Sequence, residues 1–141
     1  MSLDVKFTPR SGTMYVEVTG TFSLEDAQQN FVKLLGAVKE HGTEKILADG
    51  RGVLGEPATI ERFYYGEFVA SAVKELVDGG WEHRPPQFAY VLREPVLDPL
   101  RLGETVAVNR GMNIKVFEHY YEALEWLSIG EVTQAAPSEA A

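Results

Sequence analysis

The stretch from Lys45 to Leu76 places the strongest constraint on how this chain can fold. It begins with a short apolar run at 45–49, continues with three glycines between residues 50 and 55, and ends in a long segment with helical periodicity. Glycine frees the backbone and Pro57 removes a hydrogen-bond donor, so neither suits a regular element. The sequence therefore predicts a buried strand, a glycine-rich loop over 50–58 and a helix over 59–78. We place the candidate functional surface on that loop and the first turns of that helix.

Strand and helix patterns alternate along the rest of the chain. Alternating apolar residues predict an N-terminal hairpin that turns near 9–12, and the last strand is predicted at 114–117. Ser23 and Gly42 have the properties of the two caps of a first helix, and Asp98 those of the cap of a third helix that ends near Arg110. The predicted order is β-β-α-β-α-β-α-β-α, which implies an α/β fold with a mostly parallel sheet and right-handed crossovers.

Composition limits the possible partners and sites. The chain has 141 residues, a length typical of one domain, and a formal net charge of −8, which argues against unaided binding to nucleic acid or anionic membranes. It contains no cysteine, which excludes disulfides, iron–sulfur clusters and thiolate zinc sites. The N-terminus lacks the pattern of a signal peptide, and no run of about 18 apolar residues suggests a membrane span. We therefore expect a cytoplasmic protein.

Residues 50–55 formally match the G-x-G-x-x-G pattern of dinucleotide-binding loops. However, the motif follows the third strand instead of the first, and the helix cannot begin until about Pro57. The acidic residue expected about 20 positions on should end the next strand, but that distance falls on Glu75 and Asp78, within the helix. A mobile loop is favoured over a nucleotide site, and we expect no cofactor.

Other reactive residues do not form a recognisable catalytic set. The three histidines, His41, His83 and His119, lack metal-ligand spacing, so we expect no metal site. A nucleophilic triad could be imagined from Ser71, His83 and an aspartate. Ser71, however, lacks the strand–turn–helix setting of a nucleophilic serine. The nearby carboxylates at 94, 98 and 104 have no further support as a glycosidase pair. We therefore expect that the protein is not an enzyme and has no catalytic residues.

Two C-terminal segments resemble a known family. Residues 104–117 read as a helix, an Asn-Arg-Gly turn and a strand, and residues 122–127 read Glu-Ala-Leu-Glu-Trp-Leu. This combination resembles the small bacterial SpoIIAA-like proteins of the STAS superfamily, named after sulfate transporters and anti-sigma-factor antagonists. The resemblance covers roughly residues 3 to 128 and implies a single STAS-like domain at 1–129, with strands roughly in sequence order and the first one antiparallel. Residues 130–141 are polar and small, and we expect a disordered tail there.

The resemblance also implies where a phosphorylation switch would lie. Signalling members carry an acceptor serine in an Asp-Ser-Ser-Gly turn, at the start of the helix after the third strand. This sequence has Glu56, Pro57, Ala58 and Thr59 there, so Ala58 occupies the acceptor position and Thr59 is one residue out of register. The departure argues against a phosphorylation switch.

The predicted helix 59–78 has two distinct faces. One carries the apolar stripe of a core face, formed by Tyr65, Phe68, Val69, Ala72, Val73 and Leu76. Ile60, Phe63 and Tyr64 point to the opposite side and need a partner of their own. Either the 50–58 loop folds back over them, or they form a contact patch for another chain or an apolar ligand.

These observations predict a non-catalytic binding or regulatory module of STAS type. It would contact a protein partner through the loop after the third strand and the start of the following helix. The alternative is a carrier or sensor of a small apolar, lipid-like ligand, and the protein partner could also be a second copy of the chain. The candidate contact residues are Arg51, Leu54, Glu56, Thr59, Ile60, Phe63 and Tyr64.

We expect that phosphorylation does not switch this domain at the STAS position, because Ala58 has no hydroxyl group. Phosphopeptide mass spectrometry on protein from its native host should find this segment unmodified. Stoichiometric phosphate on Thr59 would contradict the expectation and restore a signalling role.

Overall fold

A hairpin, a helix and three strand–helix units follow one another in the computed structural model, which describes residues 3–129. The elements are β1 Leu3–Arg10, β2 Thr13–Thr21, α1 Leu24–His41, β3 Lys45–Leu54, α2 Thr59–Asp78, β4 Gln87–Val91, α3 Leu102–Asn109, β5 Asn113–Phe117 and α4 Tyr120–Leu127. The segment predicted to be a disordered tail, residues 130–141, lies outside the described residues. The predicted order of elements is confirmed.

The five strands form one mixed sheet in the order β1-β2-β3-β4-β5. β1 is antiparallel to β2, and every other pair is parallel. Ser11 and Gly12 form the two-residue turn of the hairpin, both at positive φ, 53° and 80°, as in the turns whose twist matches that of paired strands. The predicted α/β class, with an antiparallel first strand on a parallel sheet, is confirmed.

The sheet is covered on both faces. The larger core lies under α1, α2 and α3, and the smaller one lies under α4. β4 contributes to both, because Phe88 belongs to the first core and Ala89 to the second. This explains why its sequence is apolar throughout instead of alternating.

The first helix forms where its caps predict it. The Ser23 hydroxyl accepts a hydrogen bond from the backbone N–H of Asp26 at 3.3 Å, and Gly42 ends the helix in the left-handed conformation at φ 63°. Its buried residues are Phe31, Leu34, Leu35 and Val38. All four lie on one face of the helix.

The prediction of a glycine-rich loop starting at residue 50 is wrong. β3 continues to Leu54, because Gly52 to Leu54 pair with the end of β2 after a bulge at Gly50 and Arg51. A Cβ atom at Gly50 would lie 2.8 Å from Cδ2 of Leu92, so glycine here allows close packing against the segment after β4. The connecting loop contains only residues 55–58.

The third helix begins later than predicted. Asp98 accepts hydrogen bonds from the backbone N–H groups of Leu100 at 3.1 Å and Leu102 at 3.0 Å, and these bonds hold a turn. Arg101 then adopts a left-handed conformation at φ 53°, and α3 starts at Leu102. The bond from Leu102, followed by the one from Leu100, lowers the pKa of Asp98 against the opposing effect of desolvation. Asp98 is a capping side chain, as predicted, but of the turn before the helix.

The backbones of α2 and α3 pack directly against each other at two glycines. A Cβ atom at Gly66 would lie 2.5 Å from the carbonyl oxygen of Gly103, closer than such atoms approach. A Cβ atom at Gly103 would lie 3.3 Å from the carbonyl oxygen of Arg62. The absence of a side chain at Gly66 is therefore a requirement of this helix crossing.

We expect Gly66→Ala to lower the free energy of unfolding by about 1–3 kcal/mol, because the added methyl group forces the two backbones apart. Gly36→Ala is the matched control, since Gly36 is also helical and its added Cβ would meet nothing within 4 Å. The control should be neutral or stabilising by up to about 1 kcal/mol, owing to the higher helix propensity of alanine. Urea denaturation measures both, and an unchanged midpoint for Gly66→Ala would contradict the close crossing.

Candidate functional site

An apolar cavity of about 180 Å³ lies between the sheet and the helices that cover its larger core. All five strands, all three helices of this layer and the segment before α3 contribute to its wall. Representative apolar lining residues are Phe7, Val16, Phe31, Ala48, Val69 and Val116. A dry engineered cavity of about 150 Å³ is large enough to bind benzene, so this volume can hold a small apolar molecule.

The irregular end of β3 shapes one wall of the cavity. Because of the bulge, Gly50 and Val53 both line it, although they are three residues apart in a strand. Gly50 contributes no side chain, and the side chain of Leu92 packs against it at the carboxyl ends of the parallel strands. Open α/β sheets bind their ligands in crevices at this edge.

Charged side chains hold the segment before α3 in place. Arg62 of α2 donates to the carbonyl oxygens of Val96 at 2.7 Å and Pro95 at 2.8 Å. Arg101 donates to the carbonyl oxygen of Val116, and Glu104 accepts from the N–H of the same residue at 3.0 Å. These side chains line the cavity, and their charged groups bond to the backbone around it.

Two tyrosines in the cavity wall share a hydrogen bond. The hydroxyl oxygens of Tyr65 on α2 and Tyr90 on β4 are 2.8 Å apart. Burial raises the pKa of Tyr65 to about 12, and burial together with the neighbouring Tyr65 raises that of Tyr90 well above its ordinary value. Both hydroxyls therefore stay neutral, and the pair is a polar group in an otherwise apolar wall.

The outer side of α2 carries exposed apolar side chains. Ile60 is 55% exposed and Tyr64 is 48% exposed, one helical turn apart, and Leu54 at the end of β3 is 65% exposed. The loop therefore does not cover Ile60 and Tyr64. Phe63 is partly buried, with the guanidinium of Arg110 5.8 Å from its ring centroid. The predicted core face of α2 is confirmed, and Ile60 and Tyr64 lie on the outward face as predicted, whereas Phe63 does not lie fully in the open.

The short loop before α2 and the first residue of the helix expose polar side chains. Glu56 and Thr59 are exposed, whereas Pro57 is buried and lines the cavity. Ala58 is the residue before the helix, and its N–H donates to the side chain of Glu61 at 2.8 Å. Ala58, which has no hydroxyl group, thus lies at the start of the helix.

Arg51 lies apart from the other six candidate contact residues. Its guanidinium is 2.7 Å from the carboxylate of Asp49 and 5.0 Å from the ring centroid of Tyr120 on α4. α4 covers the opposite face of the sheet from α2. The remaining six candidates lie between residues 54 and 64, at the end of β3 and the first turns of α2.

The other patterns considered in the sequence have structural roles. The first two glycines of the G-x-G-x-x-G match lie within β3, and α2 starts four residues after the third, Gly55. Asp98 and Glu104 accept backbone hydrogen bonds. Within residues 3–129, no three His, Asp or Glu side chains converge as a metal site would require. None of the helices in this part of the chain has the length and apolar character to cross a bilayer.

The cavity was not predicted from the sequence. Helical periodicity places Tyr65 on the core face of its helix, and Tyr90 lies in a run of apolar residues, 88–92. The available signal was that two hydroxyl-bearing side chains occupy inward-facing positions, where a polar atom needs a partner.

Comparisons with known proteins identify the fold. No protein-family model and no curated protein sequence matches this chain. Among solved structures, the crystal structure of an anti-sigma factor antagonist from Mycobacterium paratuberculosis superimposes with a TM-score of 0.57. The match covers 88% of this chain and 92% of the other, at 15% sequence identity. The chain therefore shares the fold of this anti-sigma factor antagonist.

Proposed function

We propose that this STAS-fold chain is a non-catalytic binding module that contacts a protein partner through residues 54–64. The observation that carries the proposal is the exposure of Ile60 and Tyr64, 55% and 48%, on the first turns of a helix whose other face is already packed. Neither side chain is needed to hold α2 on the sheet. Large apolar groups that share one exposed face are typical of interaction sites.

The surroundings of these two residues resemble the organisation of a protein interface. Glu56 and Thr59 supply exposed polar groups beside the apolar side chains. On the same helix, Glu67 forms an ion pair of 2.8 Å with Arg110, whose guanidinium also lies near the Phe63 ring. An apolar centre with a polar rim is the usual arrangement of a protein–protein contact.

The similar solved structure supports a protein as the partner. It is described as an anti-sigma factor antagonist, which names a protein that acts against another protein. By this analogy of fold we place the present chain among bacterial, cytoplasmic regulatory modules. A second copy of the chain is the alternative protein partner.

A second candidate function rests on the cavity. Its volume of about 180 Å³ and its mostly apolar wall favour a carrier or sensor of a small apolar ligand. α2 contributes to both candidate sites, since Tyr65 lines the cavity and the adjacent Tyr64 is exposed. Occupation of the cavity could therefore alter the helix that presents the contact patch.

We expect the double variant Ile60→Ser, Tyr64→Ser to weaken partner binding by at least about tenfold, since exposed aromatic residues often dominate interface energetics. Each change should alter the free energy of unfolding by no more than about 0.5 kcal/mol, because the side chains are largely outside the core. A photo-crosslinker placed at Glu56 identifies the partner in host cells. Calorimetric titration with the purified partner then measures the affinity.

Tyr121→Ser is the matched control for this double variant. Tyr121 is 58% exposed but lies on α4, over the opposite face of the sheet. The control should bind the partner normally. Equal affinity for the double variant and the wild type would contradict the proposed patch, and a large loss of stability would assign Ile60 and Tyr64 to the core.

Native mass spectrometry of gently purified protein separates the two candidate functions. A copurified small molecule, released on denaturation, is the expected result for the ligand carrier. Ala27→Leu, which adds volume to the cavity wall, should then abolish the additional mass. A discrete homo-oligomer without additional mass would favour the protein-contact function with a second copy as the partner.

A further inference from the structure

The tyrosine pair in the cavity wall has one more hydrogen than it uses. A hydrogen bond between two hydroxyls consumes the hydrogen of the donor and leaves the hydrogen of the acceptor unused. Tyr65 and Tyr90 have only each other as hydrogen-bond partners among the side chains and backbone of residues 3–129. Whichever tyrosine donates, the pair still offers one O–H donor.

The donor that remains is a neutral one. Burial holds the pKa of both hydroxyls above the ordinary tyrosine value, so neither ionises near neutral pH. In an otherwise apolar wall, a donor without a protein acceptor is unfavourable, and an oxygen of a bound molecule would relieve this cost. This partly buried pair is therefore a place in the wall where a ligand oxygen would form a favourable hydrogen bond.

The charges around the cavity argue against an ionised ligand. Arg62 donates to two backbone carbonyls, and Arg101 bonds to a carbonyl and lies 3.8 Å from Glu104. The carboxylates of Asp98 and Glu104 line the same cavity as these arginines. A carboxylate buried there would have no uncommitted cation among the described lining residues, and burying an unpaired charge is costly.

We propose that the cavity binds a neutral, compact, mostly apolar molecule with one carbonyl or hydroxyl oxygen, and that Tyr65 and Tyr90 bind this oxygen. The proposal rests on the second candidate function above, ligand binding in the cavity. The volume suits a molecule of the size of a substituted benzene, because a somewhat smaller cavity already holds benzene itself.

Acetophenone and α-methylstyrene are a suitable probe pair, because they differ only in a C=O group that replaces C=CH₂. Calorimetric titration gives the ratio of the two affinities in the wild-type chain, and comparison of this ratio between variants cancels the different hydration of the two probes. The carbon signal of bound carbonyl-¹³C acetophenone should lie downfield of its position in cyclohexane, where the ketone accepts no hydrogen bond.

The double variant Tyr65→Phe, Tyr90→Phe removes both hydroxyls and should weaken the binding of acetophenone relative to α-methylstyrene by about three- to tenfold, the effect of one net hydrogen bond. We use the double change because a single one leaves a lone hydroxyl that can still donate, and because replacing both partners by apolar groups of similar shape is close to neutral for stability. Tyr121→Phe, on the other face of the sheet, is the control and should keep the wild-type ratio of the two affinities.

The outcomes separate the ligand function from the role of the tyrosines. If the double variant keeps the wild-type ratio of affinities, the tyrosines do not bind the ligand oxygen and the proposal is overturned. A bound carbonyl signal that stays downfield in that variant would assign the hydrogen bond to another polar lining residue, such as Asn30. If neither probe binds the wild type, the ligand-binding function of the cavity is contradicted as well. If the double variant does not fold, a wild-type carbonyl signal downfield of its cyclohexane position supports the proposal, and a signal at that position overturns it.

Discussion

The close approach of α2 to α3 at Gly66 and Gly103 is the contact on which both candidate sites depend. It fixes the position of α2 relative to the sheet, because no side chain separates the two backbones. With α2 in that position, Tyr65 lies in the cavity wall and Ile60 and Tyr64 lie outside. The internal and external sites are thus two faces of a single rigid element. A shift of this helix would change both together.

Local rules predicted those parts of the fold that depend on a few neighbouring residues. The hairpin, the caps of α1 at Ser23 and Gly42, and the core face of α2 follow from turn chemistry, capping and periodicity. The end of β3 did not follow, because residues 52–54 pair with the end of β2, which is more than 30 residues earlier in the chain. The start of α3 was misplaced because Asp98 caps a turn instead of the helix.

The candidate site, like the fold, was predictable from the sequence only in part. The outward face of α2 could be read from the sequence, since helical periodicity separates residues 60, 63 and 64 from the core stripe. The position of Arg51 away from that face could not be read from the sequence. It depends on the face of the sheet to which this part of β3 directs the side chain, and on the ion pair with Asp49. The cavity was not predictable either. A cavity is the small part of the space between helices and sheet that side chains do not fill. Its volume depends on how the elements pack in three dimensions, so no local sequence pattern predicts it.

The cavity also has a consequence for how the molecule responds to compression. A space of about 180 Å³, partly open to the surface, is not filled by the chain's own atoms, and this space is lost when the surrounding layer opens. Hydrostatic pressure therefore favours opening of the region between α1, α2 and the sheet over opening of the smaller, separate core beneath α4. A molecule bound in the cavity would supply the missing contacts and bring the compressibility of the larger core closer to that of the core under α4. Without it, we expect the more compressible side of the sheet to be the one that carries the exposed residues of α2.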